Sequence, residues 1–431
     1  MRSLVTSPDE ISARQYQRFI QSAQTRATFP DGLVRGEPYL ALNALVITRR
    51  DFDLLHNLTA TFARCFYQAA CQMAADVPAL IEVGFPWVAA ELLAAERPRM
   101  PLVGRFDFVQ DSDGQWWLLE FNSDTPSGVR EGIVVDRLAW QALAPGRSLV
   151  RPNRRFAPAL AAAFRDALRG LPSGSNLGLV TTASELEDLA QMAFTRALLQ
   201  PALDAQGISV ILGDLDNLRA SRNGLELLGR PLDALYRYVP FEGLLGSPAF
   251  AAICEAAARG HPRVLNGLFG LLLQNKGLLA WLWAHRSDEL FTAAEQAAIE
   301  SHLPPTWMIG DAPDVISNAR RGSTSVIKQV FGREGEEVYF SEDLTAAELD
   351  RLQRLRSYVS QRKIDVAPTR AILPTALGHE AVDGRASIGS FAVDGRWAGF
   401  YSRIGGKVIN SRAKWVATLV EGGDGADASE R

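Results

Sequence analysis

The Asp113-Gly114 pair constrains this chain more than any other feature of its sequence. It sits within GRFDFVQDSDGQWWLLEFNSDTP, residues 104–126, and Asp-Gly between apolar runs is the strongest short-range signal for a tight antiparallel hairpin. With those two residues as the loop, Ser112 faces Gln115, Asp107 falls opposite Glu120, and Arg105 opposite Asn122. Side chains alternate across a strand, so Arg105, Asp107, Glu120 and Asn122 share one face while Phe106, Phe108, Trp117, Leu119 and Phe121 take the other. Two carboxylates directly opposite one another destabilise a sheet unless a cation lies between them. Oxygen ligands from Asp, Glu and Asn suit a hard cation such as Mg²⁺, which takes one or two carboxylates together with substrate phosphates. The competing reading is a solvated face carrying ordinary charges.

The rest of the composition is that of an ordinary globular protein, with 47% hydrophobic and 22% charged residues over 431 positions, long enough for two or three domains. Lys and Arg number 45 against 49 Asp and Glu, for a net charge of -4, so no global field favours nucleic acid or an anionic membrane. Cys65, Cys71 and Cys254 show neither CxxC nor metal-ligand spacing and read as reduced core thiols, which points to a cytoplasmic protein. The start MRSLVTSPDE lacks an apolar signal core, and GLFGLLLQNKGLLAWLW is broken by Gln274, Asn275 and Lys276 and too short to span a bilayer.

Helical periodicity covers about 51–95, and Phe156, Leu160, Phe164 and Leu168 form one stripe of a helix over 154–171. NLGLVTT, a helix over about 185–203, GISVILGD and LDALYRYVPFEG then predict a small parallel α/β unit over about 175–240. A long helical region runs over 248–302, with a capping box at Thr292 and Glu295, and a further capped helix begins at Thr345 with Glu348. STSVIKQVFGREGEEVYF reads as two strands around a glycine-bounded loop, and SIGSFAVDGRWAGFYSRIGG as a second hairpin turning at Asp394-Gly395. The expected division is an N-terminal helical region with the first hairpin (1–150), a small α/β domain (151–247), a nucleotide-binding region (248–422) and a disordered tail (423–431).

Lys328, among Val326, Ile327 and Val330, is either an edge-strand charge or a phosphate ligand. The loop Gly332, Arg333, Glu334, Gly335 allows close backbone approach to phosphates, yet it matches neither the Rossmann fingerprint nor the P-loop, which leaves a hairpin-loop nucleotide cover. Arg403 gains interest only beside a metal-phosphate site, and Lys276 is the only charge in an apolar helical stretch. Asp311, Asp314, Glu334, Glu336 and Glu337 read as loop charges. The five histidines are scattered, and neither HExxH nor GxSxG occurs.

Taken in order, GRFDFVQDSDGQWWLLEFNSDTPSG, LDALYRYVPFEGL, QNKGLLAWLW, VIKQVFGREGEEV and IGSFAVDGRWAGFYSR resemble the synthetase domain of glutathionylspermidine synthase and its relatives, a branch of the ATP-grasp superfamily, over roughly 35–405. The resemblance implies an α/β (α+β) fold: an ATP-grasp with antiparallel sheets around the nucleotide and an additional small parallel α/β domain. It implies ATP and Mg²⁺ as cofactors, Asp107, Glu120 and Asn122 as metal ligands, and Arg105 facing the reacting phosphoryl group. Lys276 and Lys328 would hold ATP, the loop Gly332, Arg333, Gly335 would cover it, Gln361 would lie in an adenine-contacting hinge (YVSQRKID), and Arg403 would serve an acyl-phosphate step. The implied activity is a carboxylate-amine ligase that releases ADP and phosphate, acting on a small-molecule or peptide carboxylate and an amine. The residues themselves leave open a kinase that stops at phosphorylation, or a regulatory nucleotide-binding module. From Ser402 the chain reads SRIGGKVINSRAKWVATLVEGG and departs from the family pattern.

Overall fold

The computed structural model describes the chain except residues 28, 30, 31, 35, 223, 245, 246, 313–323, 333, 334, 336, 356 and 423–431, and the side chains of Val88, Phe241 and Glu242. The expected tail therefore lies outside the described residues, as do Asp314, Glu334 and Glu336.

The architecture is organised by a nine-stranded sheet whose main path runs Arg2–Ser3, Leu40–Ile47, Lys414–Glu421, Arg396–Gly405, Gly378–Val393, Val103–Gln110, Trp116–Asn122. Leu40–Ile47 is an unbroken buried run that pairs in parallel with Lys414–Glu421; the other neighbours on this path are antiparallel. Because side chains alternate along that strand, Ala41, Leu45 and Ile47 enter one core while Leu40, Leu42 and Ala44 enter another, so the sheet is covered on both faces. On the first face lies the helix Arg49–Ala74, started by Thr48 accepting from the Asp51 amide, with Phe66 packed against Phe106 and Phe121 at ring separations of 5.6 and 5.2 Å. On the second lies Phe156–Ala167, whose expected stripe Phe156, Leu160, Phe164 and Leu168 is fully buried. This sheet takes strands from both ends of the chain, so the segments expected as separate N-terminal and nucleotide-binding regions share one scaffold.

The parallel sheet expected over 175–240 exists, in the order Arg263–Val264, Ala234–Arg237, Asn176–Thr181, Ser209–Asp214. Its edge strand comes from beyond residue 247, and the helical region expected over 248–302 is four helices, Pro248–Arg259, Leu268–Gln274, Gly277–Ala284 and Ala293–His302. A three-stranded antiparallel excursion (Leu218–Ser221, Gly224–Leu227, Arg230–Pro231) was not legible because its strands are short. A separate four-stranded antiparallel sheet, Thr306–Met308, Tyr358–Arg362, Ser325–Gln329, Val338–Phe340, completes the elements around the site.

Candidate functional site

The first hairpin has the expected pairing at its open end and a different one at its turn. Arg105 pairs with Asn122 and Asp107 with Glu120, but Phe108 pairs with Leu118 and Gln110 with Trp116. The loop is closed by Asp111 accepting from the Gly114 amide and donating its own amide to Gln115, with Gly114 at φ +84°. This tip carries one residue more than a two-residue turn, and a bulge at Leu119 restores the register. The bulge also corrects the faces: Trp116, Leu118 and Phe121 enter the core, whereas Leu119 turns to the opposite side and Trp117 binds Asp111 through its indole nitrogen at 2.7 Å.

On the open face the sheet forms a floor. One row runs Glu120, Asp107, Gly389, Tyr401 across four strands, and Ser387 pairs with Arg403 beside it. A Cβ on Gly389 would lie 2.6 Å from Arg105 Cδ, so the missing side chain is the space through which Arg105 passes. There the guanidinium donates to both Asp107 oxygens at 2.6 and 2.9 Å, to the Ser127 carbonyl at 2.7 Å, and lies 4.9 Å from the Tyr401 ring centroid. Burial opposes its charge, yet Asp107 more than offsets this and raises its pKa. Arg105 is thus committed to holding Asp107 rather than facing the open cleft.

The small antiparallel sheet forms the roof. Lys328 on Ser325–Gln329 donates to Gln361 Oε1 at 2.7 Å, and Gln361 donates onward to Thr306 at 3.1 Å. Gln361 lies on a strand rather than in a hinge; the segment after it, with Lys363, Ile364 and Val366, lines the cleft. Lys276 is not mid-helix. The apolar stretch breaks at Asn275, whose side chain bonds the Val83 carbonyl and the Gly277 amide, and Lys276 begins the next helix. Its ammonium donates to the Gly332 carbonyl at 2.7 Å and sits 3.3 Å from Glu120. Each carboxylate thus has a cation beside it, Arg105 on Asp107 and Lys276 by Glu120.

Between floor and roof lies a cleft with Asp107, Glu120, Lys276, Lys328, Gly332, Gly335, Gln361 and Arg403 in its lining. Among the described residues seven basic side chains and two carboxylates line it, together with the apolar Val109, Leu119, Val326, Val338, Ile364 and Val366. Burial would raise the Glu120 carboxyl, but Lys276, Lys328 and Arg105 hold it down to about 2. Burial pulls Lys328 down to about 8 against the attraction of Glu120. Arg403 lies 5.6 Å from the Tyr401 ring centroid, and its Nε is buried with no hydrogen-bond partner among the described residues. Arg333 is outside the described residues. Lys363, Arg385, Ser387 and Lys407 also line the cleft and were not singled out from sequence. Arg385, Ser387 and Gly389 alternate with the buried apolar Ala386 and Ile388, and that spacing was the available signal.

Among the described residues no three His, Cys, Asp or Glu side chains gather as a metal cluster. Asp107 and Glu120 with the Asn122 amide form a two-carboxylate oxygen set, which fits Mg²⁺ completed by substrate phosphates. Asn122 here donates through Nδ2 to Asp107 at 3.2 Å and would offer its oxygen by turning the amide over.

No curated protein matches the chain in sequence. Among solved structures, a glutathione synthetase-like effector from Globodera pallida in apo form aligns with a TM-score of 0.67 at 13% identity, over 97% of this chain and 98% of its own. A putative gamma-glutamylcysteine synthetase from Methylobacillus flagellatus KT aligns with a TM-score of 0.44 at 12% identity, over 82% of this chain and 84% of its own. The first likeness carries the fold, a mixed α/β ATP-grasp-like architecture of the glutathione synthetase kind. No helix among the described residues is long and apolar enough to cross a membrane. The model of the glutathionylspermidine synthase preATP-grasp family matches residues 16–421, and the chain belongs to that family.

Proposed function

We propose that the chain is an ATP-dependent carboxylate-amine ligase that makes an amide or peptide bond through an acyl phosphate and releases ADP and phosphate. The observation that carries this reading is the cleft itself: a pocket between the nine-stranded sheet and the small antiparallel sheet, lined by basic side chains, two carboxylates and a set of apolar residues. Membership of a synthetase family supports the same conclusion.

In this reading Lys276 and Lys328 bind the phosphates, with Gln361 fixing the Lys328 ammonium. The loop of Gly332, Arg333 and Gly335 covers the nucleotide, and Val109, Leu119 and Val326 receive the adenine. Mg²⁺ held by Asp107, Glu120 and Asn122 would supply charge neutralisation on the phosphates. Arg105 keeps Asp107 in place, and Arg403 meets the charge that builds on the phosphoryl group as it passes to the substrate carboxylate. The amine then attacks the acyl carbon, its nitrogen forms the C–N bond, and the phosphate leaves with the C–O electron pair. No side-chain nucleophile is required, because positioning and electrostatics supply most of the rate. Presenting carboxylic acids and amines singly and in pairs and measuring ADP release tests the reading. ADP release that needs both partners supports the ligase; a stable phosphorylated alcohol or amine from one partner assigns a kinase instead.

A further inference from the structure

Among the described residues Tyr401 is the aromatic side chain that Arg105 and Arg403 share. Arg105 lies 4.9 Å and Arg403 5.6 Å from its ring centroid. The ring is pressed against backbone, since a Cβ on Gly128 would stand 2.4 Å from it. Its hydroxyl is 2.7 Å from that of Tyr39, and the Tyr39 hydroxyl donates to Glu131 Oε1 at 3.1 Å. Tyr39 has a single proton, which it gives to Glu131, so the Tyr401 hydroxyl donates to Tyr39 and the chain runs Tyr401 to Tyr39 to Glu131. All three side chains are buried, and burial raises both tyrosines, which keeps them protonated donors. Glu131 opens a π-turn in which the Asp136 amide bonds the Glu131 carbonyl, a local irregularity that frequently accompanies functional sites.

Neither tyrosine lines the cleft, yet the chain ends on the ring beneath its arginines. An arginine side chain carries substantial rotamer freedom, and a guanidinium aimed at developing charge is effective only when already in place. Arg105 is fixed by Asp107 and Ser127. Arg403 has no such anchor: its Nε is unpartnered, and among the described residues the contact that orients its guanidinium is the ring.

Resting on the phosphoryl-transfer reading above, we propose that Tyr401 is a positioning residue: held by Tyr39 and Glu131, its ring sets the offset between the Arg105 guanidinium on Asp107 and the Arg403 guanidinium facing the cleft. Its effect is exerted when phosphoryl charge is in transit, not when nucleotide binds.

The test is calorimetric titration of the full chain with Mg-ADP, alone and with aluminium fluoride, which takes the shape of a phosphoryl group in flight and needs no identified acid or amine. For the unmodified protein, fluoride should tighten Mg-ADP by about 10²-fold or more, as a transition-state mimic does. Tyr401→Leu should bind Mg-ADP within about twofold of the unmodified protein and lose most of the fluoride enhancement, with Tyr401→Phe, which keeps the ring, in between. In an Arg403→Gln background, Tyr401→Leu should remove nothing more, because residues that act through one another are not additive. A purely structural role would lower the melting temperature and leave the enhancement intact, and that outcome overturns the proposal, as does an additive loss. Should Tyr401→Leu not fold, Tyr39→Phe replaces it, with enhancement reduced about threefold as expected for one buried hydrogen bond; an unchanged value overturns the proposal. If the unmodified protein binds Mg-ADP with no fluoride enhancement, the phosphoryl-transfer reading itself fails, a result distinct from an enhancement that Tyr401 does not affect.

Discussion

Arg105 grips Asp107 with two parallel hydrogen bonds, Nε to Oδ1 at 2.6 Å and Nη2 to Oδ2 at 2.9 Å, from two positions away on the same strand. Both side chains are almost wholly buried, at 6% and 9% exposure, so the pair is not a surface ion pair of negligible value. Removing one partner leaves the other charged and buried. Arg105→Leu should therefore destabilise the fold by about 3–5 kcal/mol, and Arg105→Lys, which keeps charge but loses the fork, by less. Urea unfolding measures both. Equal stability of Arg105→Leu and the unmodified protein would show that Asp107 does not depend on this grip.

Gly389 gives a second, steric check of the same arrangement. A methyl group there would stand 2.6 Å from Arg105 Cδ and 2.9 Å from the Tyr401 carbonyl oxygen. Gly389→Ala should cost about 1–3 kcal/mol and displace Arg105, as overpacking a filled site does. Mg-ATP affinity should fall with it, by calorimetry, because Asp107 loses its fixed position. Retained stability and affinity would mean that Arg105 has another route to Asp107.

The Lys328 ammonium gives a pH signature. Burial lowers its pKa to about 8, below the ordinary lysine value of 10.5. The sign for stability follows directly: holding the charge in the fold is a cost fully present below about 8, and it is relieved as pH rises towards the unfolded value. For nucleotide binding the direction reverses, because a neutral amine no longer attracts phosphate. Mg-ATP affinity should weaken as pH rises beyond about 8, and Lys328→Arg, charged throughout, should flatten that fall. Parallel pH curves for the two proteins would remove Lys328 from the phosphate site.

Gly335 has φ +76°, and a Cβ there would lie 2.8 Å from Val408 Cγ1. It therefore sets how the end of the cover loop rests on the segment containing Val408 and Asn410. Gly335→Ala should weaken Mg-ATP binding by about tenfold while lowering stability by about 1 kcal/mol, the strain of a side chain at positive φ. A larger loss of stability than of binding would assign the glycine a folding role.

Much of this arrangement was legible because two periodicities carried it. Alternation put Arg105, Asp107, Glu120 and Asn122 on one face, and their pairing across the open end is as the spacing indicated. The turn itself was misread by one residue, and the Leu119 bulge cancelled the error only beyond Asp107. A bulge leaves almost no trace in side-chain chemistry, so Trp117 and Leu119 were assigned to the wrong face. Lys276 was placed inside a helix because the break at Asn275 is made by side-chain hydrogen bonds to Val83 and Gly277, which periodicity does not register. The Tyr39, Tyr401 and Glu131 chain joins residues up to 362 positions apart, and only the strand order brings them together.

The measurement that bears most directly on the central claim is the nucleotide product in the presence of hydroxylamine. The protein is supplied with Mg-ATP and a panel of amino acids and peptides bearing accessible carboxylates, with no amine other than hydroxylamine added, and both nucleotide and hydroxamate are quantified. Arg403, Lys276 and Lys328 grip the terminal phosphates in this account, so ADP should appear in step with a hydroxamate of one class of acid, and Arg403→Gln should suppress both together by about 10²-fold. AMP as the product, or ADP accompanied by a stable phosphorylated alcohol or amine and no hydroxamate, would contradict it.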